Sequence, residues 1–260
     1  MKTFNENKLP DKTKSMFESH QKWSNNNLKE TLKNHHREIE KLLQKIEVFD
    51  IWKNILQEKY KNEVGLLIPE IFMDSYNSIH FACLGLYKQA NVCLRAQIET
   101  ALRMVYFSTH PVEFKWWHAG EDWYIKKGDV WGERYEYFKR LEDVKNFEKK
   151  CKENNYEASL FNKINDLYKK LSKYVHSGVA SFQTTPERYS PNYKISEFKR
   201  WMSNFKMIQK YSNTILILGF AEEFKNTSLT RKKRILKELE DNNFKKGIRK
   251  SLGLKFRGRI

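Results

Sequence analysis

A chain of 260 residues, 40% hydrophobic and 14% aromatic, has enough apolar material for a substantial core in one or two domains, which excludes a disordered chain. Only ten glycines and five prolines argue against a many-turned all-β protein and for long helices with short connections. Forty-nine Lys and Arg against 32 Asp and Glu leave a net charge of +17, a self-repelling balance that points to a polyanionic partner, nucleic acid before anionic lipid.

Residues 1 to about 26 are polar, rich in Asn and Lys and interrupted by Pro10, and predict a loose arm with a short helix around Met16 to Trp23. From Leu28 onward, Leu28, Leu32, Ile39, Leu42, Ile46 and Phe49 recur at three- and four-residue steps, with His35 at the missing position. The spacing predicts one long helix with a narrow seam. Such a seam needs a facing helix, from this chain or from a second copy.

The stretch from about Glu63 to Phe107 is apolar almost all round and predicts two buried helices hinged near Gly85. Pro111 and the segment "FKWWHAGEDW" end this pair, with Gly120 marking a turn. A charged helix is predicted around Arg134 to Lys152 and another from about Ala158 to Val175. Turn residues then crowd "SGVASFQTTPERYSPNYK", a predicted loop, before a long helix from Ile195 to about Phe224.

From Ser228 to Ile260, twelve Lys and Arg face three Asp and Glu, so this eighth of the chain carries +9 of the +17. Arg231, Lys232, Lys233, Arg234, Lys245, Lys246, Arg249 and Lys250 are the candidate phosphate contacts. Interleaved Ile235, Leu236, Phe244, Leu252 and Phe256 leave three readings open: basic helical turns, a flexible tail, or a docked segment. The longest apolar run, "ILIL" at 215–218, is too short for a membrane span, so no membrane partner is expected. Cys83, Cys93 and Cys151 form no C-x-x-C, which predicts neither a disulfide framework nor a zinc site and fits a reducing cytoplasm.

Two features carry possible chemistry. At roughly 100° per residue, Leu160, Ile164, Leu167, Leu171, Tyr174 and Val175 fall together as a buried stripe. His176 lies off that stripe, beside Asn165, Lys169 and Ser172. An imidazole in the last helical turn is favoured in its protonated form and suits a general acid; it equally suits a helix end with no chemistry. The second feature is "KQANVCLRAQIETALRMVYF", in which Arg95, Glu99 and Arg103 follow one another at four-residue steps. Charges in so apolar a helix must be paired or line a cleft: Arg95 and Glu99 form a plain bridge, or Glu99 orients Arg95 toward a phosphate. Trp116, Trp117 and Trp123 could stack on bases, though such clusters more often pack a turn.

"GLYKQANVCLRAQIETALRMVYF" followed by "LYKKLSKYVHSG" resembles the HEPN superfamily of all-helical proteins, in particular defence-associated branches with an R-x-x-x-E helix and a later L-S-x-x-V-H element. The resemblance covers about Glu63 to Phe224. It implies an all-α HEPN-like helical core over residues 63–227, preceded by an N-terminal helical extension over 1–62 and followed by the basic C-terminal tail over 228–260. It further implies a homodimeric, metal-independent endoribonuclease without cofactor, of bacterial defence or toxin type, with room for a partner defence protein. His176 would transfer the proton, Arg95 would clamp phosphate, Glu99 would orient it, and Lys169 or Ser172 would assist. The superfamily's usual Arg, four to six residues before the His, is absent here; those positions hold Leu171, Lys170 and Lys169. The clamp would therefore come from Lys169 or Lys170, or from Arg95, or else the fold persists as a non-catalytic module binding nucleic acid or protein.

Overall fold

The computed structural model describes residues 10–60, 64–120, 130–153, 160–176, 192–239 and 241–254, and these are all-α, with no strand among them. Residues 177–191 of the predicted loop, Trp123 and the last six residues lie outside the described residues.

Helix α1 (Asp11–Ile46) begins directly after Pro10, with Asp11 in its first turn complementing the helix dipole. It runs as one helix through the segment expected to be a loose arm, broken only by a kink at His35 (φ −140°, ψ 18°). Its seam differs from the predicted one. Ile39, Leu42 and Ile46 are buried as expected, and so is His35 at the position it was expected to fill, but ahead of it the buried residues are Asn27 and Thr31, while Leu32 is 41% exposed. The reason is what α1 crosses. Helix α3 (Ile68–Cys83) ends beneath it with unsatisfied carbonyls, and only a donor-bearing face can meet them. Asn27 Nδ2 donates to the Leu84 carbonyl at 3.0 Å and Thr31 Oγ1 to that of Cys83 at 3.1 Å. His35 stacks on Phe198 at 4.2 Å and shares a 2.9 Å hydrogen bond with the Tyr193 hydroxyl.

Helix α2 (Val48–Tyr60) leads through a short 3-10 turn (Val64–Leu67) into α3, which has a proline in its first turn. Gly85, at φ +75°, makes the predicted hinge between α3 and α4 (Tyr87–Phe107). Helix α5 (Pro111–His118) follows. The predicted charged helix is two, α6 (Val130–Arg140) and α7 (Glu142–Glu153). Helices α8 (Leu160–His176) and α9 (Ile195–Gly219) come next, and a break at Phe220 separates α9 from α10 (Ala221–Asn226).

Four helices, α3, α4, α8 and α9, surround the centre. Asn204 donates to Asn91 at 2.8 Å and Gln209 to Gln97 at 3.2 Å, so α9 runs parallel to α4. Trp201 and Gln209 reach back to Ser78 and Ser75, which sets α3 antiparallel to α9. Lys170 meets Asn204 while Tyr174 lies within the field of Arg200, so α8 too is antiparallel to α9. The seam between these helices is thus polar, and every pair in it ties two elements together. The far ends of α4 and α9 close tightly: a Cβ on Gly219 would stand 2.2 Å from Val105 Cγ2.

The basic C-terminal segment is not a tail as far as residue 251. Ser228 caps α11 (Leu229–Lys237) by accepting from the Arg231 amide, and Asp241 caps α12 (Asn242–Ser251) by accepting from Asn243 and Phe244. Ile235, Leu236, Leu239, Phe244, Ile248 and Leu252 join one hydrophobic cluster that extends from Ile39. Asn213 fastens the segment, donating to the Ile235 carbonyl at 2.9 Å while accepting from Trp52 Nε1 at 2.8 Å. Of the readings left open by the sequence, the docked one describes residues 228–239 and 241–251, because these residues bury an apolar stripe while most of their cations stay at least partly exposed. No helix among the described residues is long and apolar enough to cross a membrane.

Candidate functional site at the seam of α4 and α8

The charged stripe of α4 faces α8, and its first two members are joined there to a third residue. Arg95 Nε donates to Glu99 Oε1 at 3.0 Å, Arg95 Nη2 donates to the Tyr168 hydroxyl at 2.8 Å, and that hydroxyl donates to Glu99 Oε1 at 2.9 Å. The three side chains close a triangle in which each bond fixes the other two. Trp131 of α6 stacks on the Tyr168 ring at 3.5 Å with the planes 2° apart, and Tyr135 stacks in turn on Trp131. Burial, then the Glu99 carboxylate, raise the Tyr168 pKa, so the phenol keeps the proton that the triangle requires. Arg95 and Glu99 remain 18% and 27% exposed, and the third guanidinium nitrogen, Nη1, takes no part in the triangle.

Tyr168 is the residue the sequence reading missed. It stands four residues before Ser172 and eight before His176, so the three lie along one side of α8, drifting about 40° per step. Ser172 Oγ donates to the Tyr168 carbonyl at 2.8 Å and is satisfied within its own helix. Lys169 is exposed, whereas Lys170 donates to Asn204 at 2.8 Å; burial, then the Arg200 charge, lower its pKa. His176 is the last residue of α8, and its side chain lies outside the described residues. Its backbone stands about 12 Å along the helix axis from Tyr168, at 1.5 Å per residue. The expectation that Arg95 and His176 meet at one point rests on the His176 side chain, outside the described residues.

Further along α4, Asp74 of α3 is half-buried within the fields of Glu70, Glu99 and Arg103. Burial first, then Glu70, push its carboxyl up to about 7, against the opposing pull of Arg103. The linkage follows directly. Between the ordinary value of 3.8 and about 7 the folded chain binds more protons than the unfolded one, so stability falls as pH rises through this window. Asp74→Asn is expected to flatten that decline: thermal melts of the variant and the wild type should coincide near pH 4 and separate by several degrees near pH 8, the variant being the more stable. Parallel curves across the range would contradict this environment for Asp74.

The two thiols nearest this region are poor nucleophiles, since burial raises Cys83 to about 11, and burial together with Asp74 raises Cys93 to about 11. Trp117 follows the packing reading, 5.5 Å from Phe107 and 6.0 Å from Phe114, with the Arg103 guanidinium 5.1 Å over its ring. No group of three or more His, Cys, Asp and Glu among the described residues has the arrangement to hold a metal ion.

The candidate phosphate contacts divide. Arg234 bridges to Glu47 at 3.2 Å and to Glu238 at 3.5 Å and serves the docking of α11. Arg231 lines a cavity of about 510 Å³ with Lys59, Thr227 and Ser228, opposite Glu222 and Glu223. Lys232 and Lys233 lie partly exposed on the outer side of α11, and Lys245 partly exposed on α12. Lys246, Arg249 and Lys250 gather around an open groove of about 340 Å³ that ends at Gly253 and Leu254.

Comparison with family models, with curated proteins and with solved structures finds no match for this chain.

Proposed function

We propose that this protein is an RNA-cleaving effector of the HEPN kind, acting without metal or cofactor, in the cytoplasm and as a homodimer. The observation that carries the reading is the Arg95–Glu99–Tyr168 triangle, because it immobilises a guanidinium at the edge of the helix side that ends in His176. An RNA strand lying along α8 meets Arg95 Nη1 with one phosphate and His176 with another. The separation of about 12 Å between the two stations spans roughly two backbone steps of an extended strand, so Arg95 holds register beside the scissile phosphate. Glu99 offsets much of the Arg95 charge, which leaves the attraction of the strand to the +17 of the chain and to the groove at Lys246, Arg249 and Lys250.

In the chemistry proposed, the ribose 2′-oxygen forms a bond to the adjacent phosphorus as the bond to the 5′-oxygen breaks. The hydroxyl proton passes to water, and His176 donates a proton to the departing oxygen. The products are a 2′,3′-cyclic phosphate and a 5′-hydroxyl. A second copy, or a partner defence protein, completes the track from outside. The non-catalytic alternative, a helical module that binds nucleic acid or protein, draws on the fact that two of the three Arg95 nitrogens are already engaged within the chain.

End-group analysis separates the two readings. Mixed-sequence RNA incubated with the protein in EDTA is expected to yield cyclic-phosphate ends and 5′-hydroxyl ends. RNA that is bound but stays intact, or cut ends bearing a 3′-hydroxyl, would overturn the proposal.

A further inference from the structure

One side of α3 is uncovered, and it carries a regular row of residues. Leu66, in the 3-10 turn that leads into the helix, and then Pro69, Met73, Tyr76 and His80 are all exposed and follow one another at steps of three and four residues. Leu66, Met73 and Tyr76 are 47%, 46% and 45% exposed, whereas Ile71, Ser75, Ser78, Ile79 and Ala82 of the same helix are buried. Helices α1, α2 and α4 pack against α3 and leave the row uncovered. Alternating steps of three and four are the spacing of a seam between two packed helices, and such a seam requires a facing helix.

Charge indicates which helix that is. Of the described α-helices, α3 alone holds no lysine or arginine; its charged residues are Glu70 and Asp74. In a chain of +17 it is therefore the face on which a second copy meets least repulsion, while its carboxylates turn nucleic acid away. We propose that two copies of the chain associate through this face, α3 against α3 in antiparallel sense about a two-fold axis. Pairing about a point between Asp74 and Ser75 sets Met73 against the partner subunit's Tyr76 and Pro69 against the partner subunit's His80. The two-fold axis repeats each contact, so a single row completes itself. The two Glu70 carboxylates then stand about 13 Å apart along the axis, beyond the screening length of about 10 Å. Asp74 lies closest to the axis, half-buried within the field of Arg103, and its carboxyl, raised to about 7, stays in good part protonated near neutrality. The inference deepens the homodimer of the proposed function and rests on that part of it alone, since the face includes neither Arg95 nor His176.

The test is the mass of the full chain by sedimentation velocity from about 1 to 100 µM, over which the wild type is expected to pass from one chain to two. Met73→Glu brings two carboxylates to the axis and should raise the dissociation constant at least tenfold. Because Met73 is exposed, the variant should melt within a few degrees of the wild type. Met73→Leu should keep the dimer, and so should Phe17→Glu, at an exposed residue of α1. A dimer that survives unchanged in Met73→Glu would overturn the face alone, and loss of the dimer in Phe17→Glu would move the contact to α1. A wild type with the mass of one chain at every concentration would overturn the face and the homodimer together. If Met73→Glu does not fold, Tyr76→Glu, at an equally exposed position, takes its place, and an unchanged dimer in it would overturn the face. His176→Ala should dimerise as the wild type does, which keeps a failure of cleavage distinct from a failure of this contact.

Discussion

Replacing Arg95 by Ala is expected to slow RNA cleavage by about 10²–10³-fold, the range seen when one preorganised donor is removed from an active site. The loss arises in positioning. The guanidinium is fixed by Glu99 and Tyr168 before any ligand arrives, so the strand meets a donor whose orientation requires no further ordering. Stability should change little. Without Arg95, Tyr168 still donates to Glu99 at 2.9 Å, and Glu99 keeps access to water, so no buried charge is left without a partner. A partly exposed ion pair contributes at most about 1 kcal/mol, which places the shift in melting temperature within a few degrees for a chain of this size. Tyr168→Phe supplies the internal control. It removes only the hydroxyl that ties α4 to α8, keeps the stack with Trp131, and should produce the same kind of loss at smaller size. An Arg95→Ala protein with full turnover and an ordinary melt would show that the triangle serves packing alone.

Much of the fold is legible because most helices have a one-sided apolar pattern. The stripe Leu160, Ile164, Leu167, Leu171 and Tyr174 is buried as the spacing predicts, and Gly85 turns the chain at the expected hinge. Val175 departs from it, at 38% exposed, since it lies at the edge of the stripe near the helix end. What could not be read depends on residues distant in sequence. Leu32 looks like a seam residue until the Cys83 and Leu84 carbonyls, more than fifty residues away, call for Asn27 and Thr31 instead. In the same way, Ile235 and Phe244 leave docking and fraying equally open until Trp52, Asn213 and Phe147 provide the surface.

The candidate site follows that division. Arg95 and Glu99 are visible as a pair because one helix spaces them by four residues. Tyr168 is not, since on its own helix it is a half-buried aromatic like many others, and its partners lie 69 and 73 residues earlier. The signal that could have found it is the regular step from Tyr168 to Ser172 to His176.

The central claim is that one side of α8 carries a strand from a fixed guanidinium to a proton-transferring imidazole. His176 ends that helix, and a positioned general acid contributes about 10²–10⁴-fold to rate. The most direct measurement is the single-turnover cleavage of labelled RNA in EDTA by wild type and His176→Ala, with binding measured on the same samples. The account predicts a rate lower by about 10²–10⁴-fold in the variant, with a dissociation constant within about threefold of the wild type. Equal rates in the two proteins would contradict it.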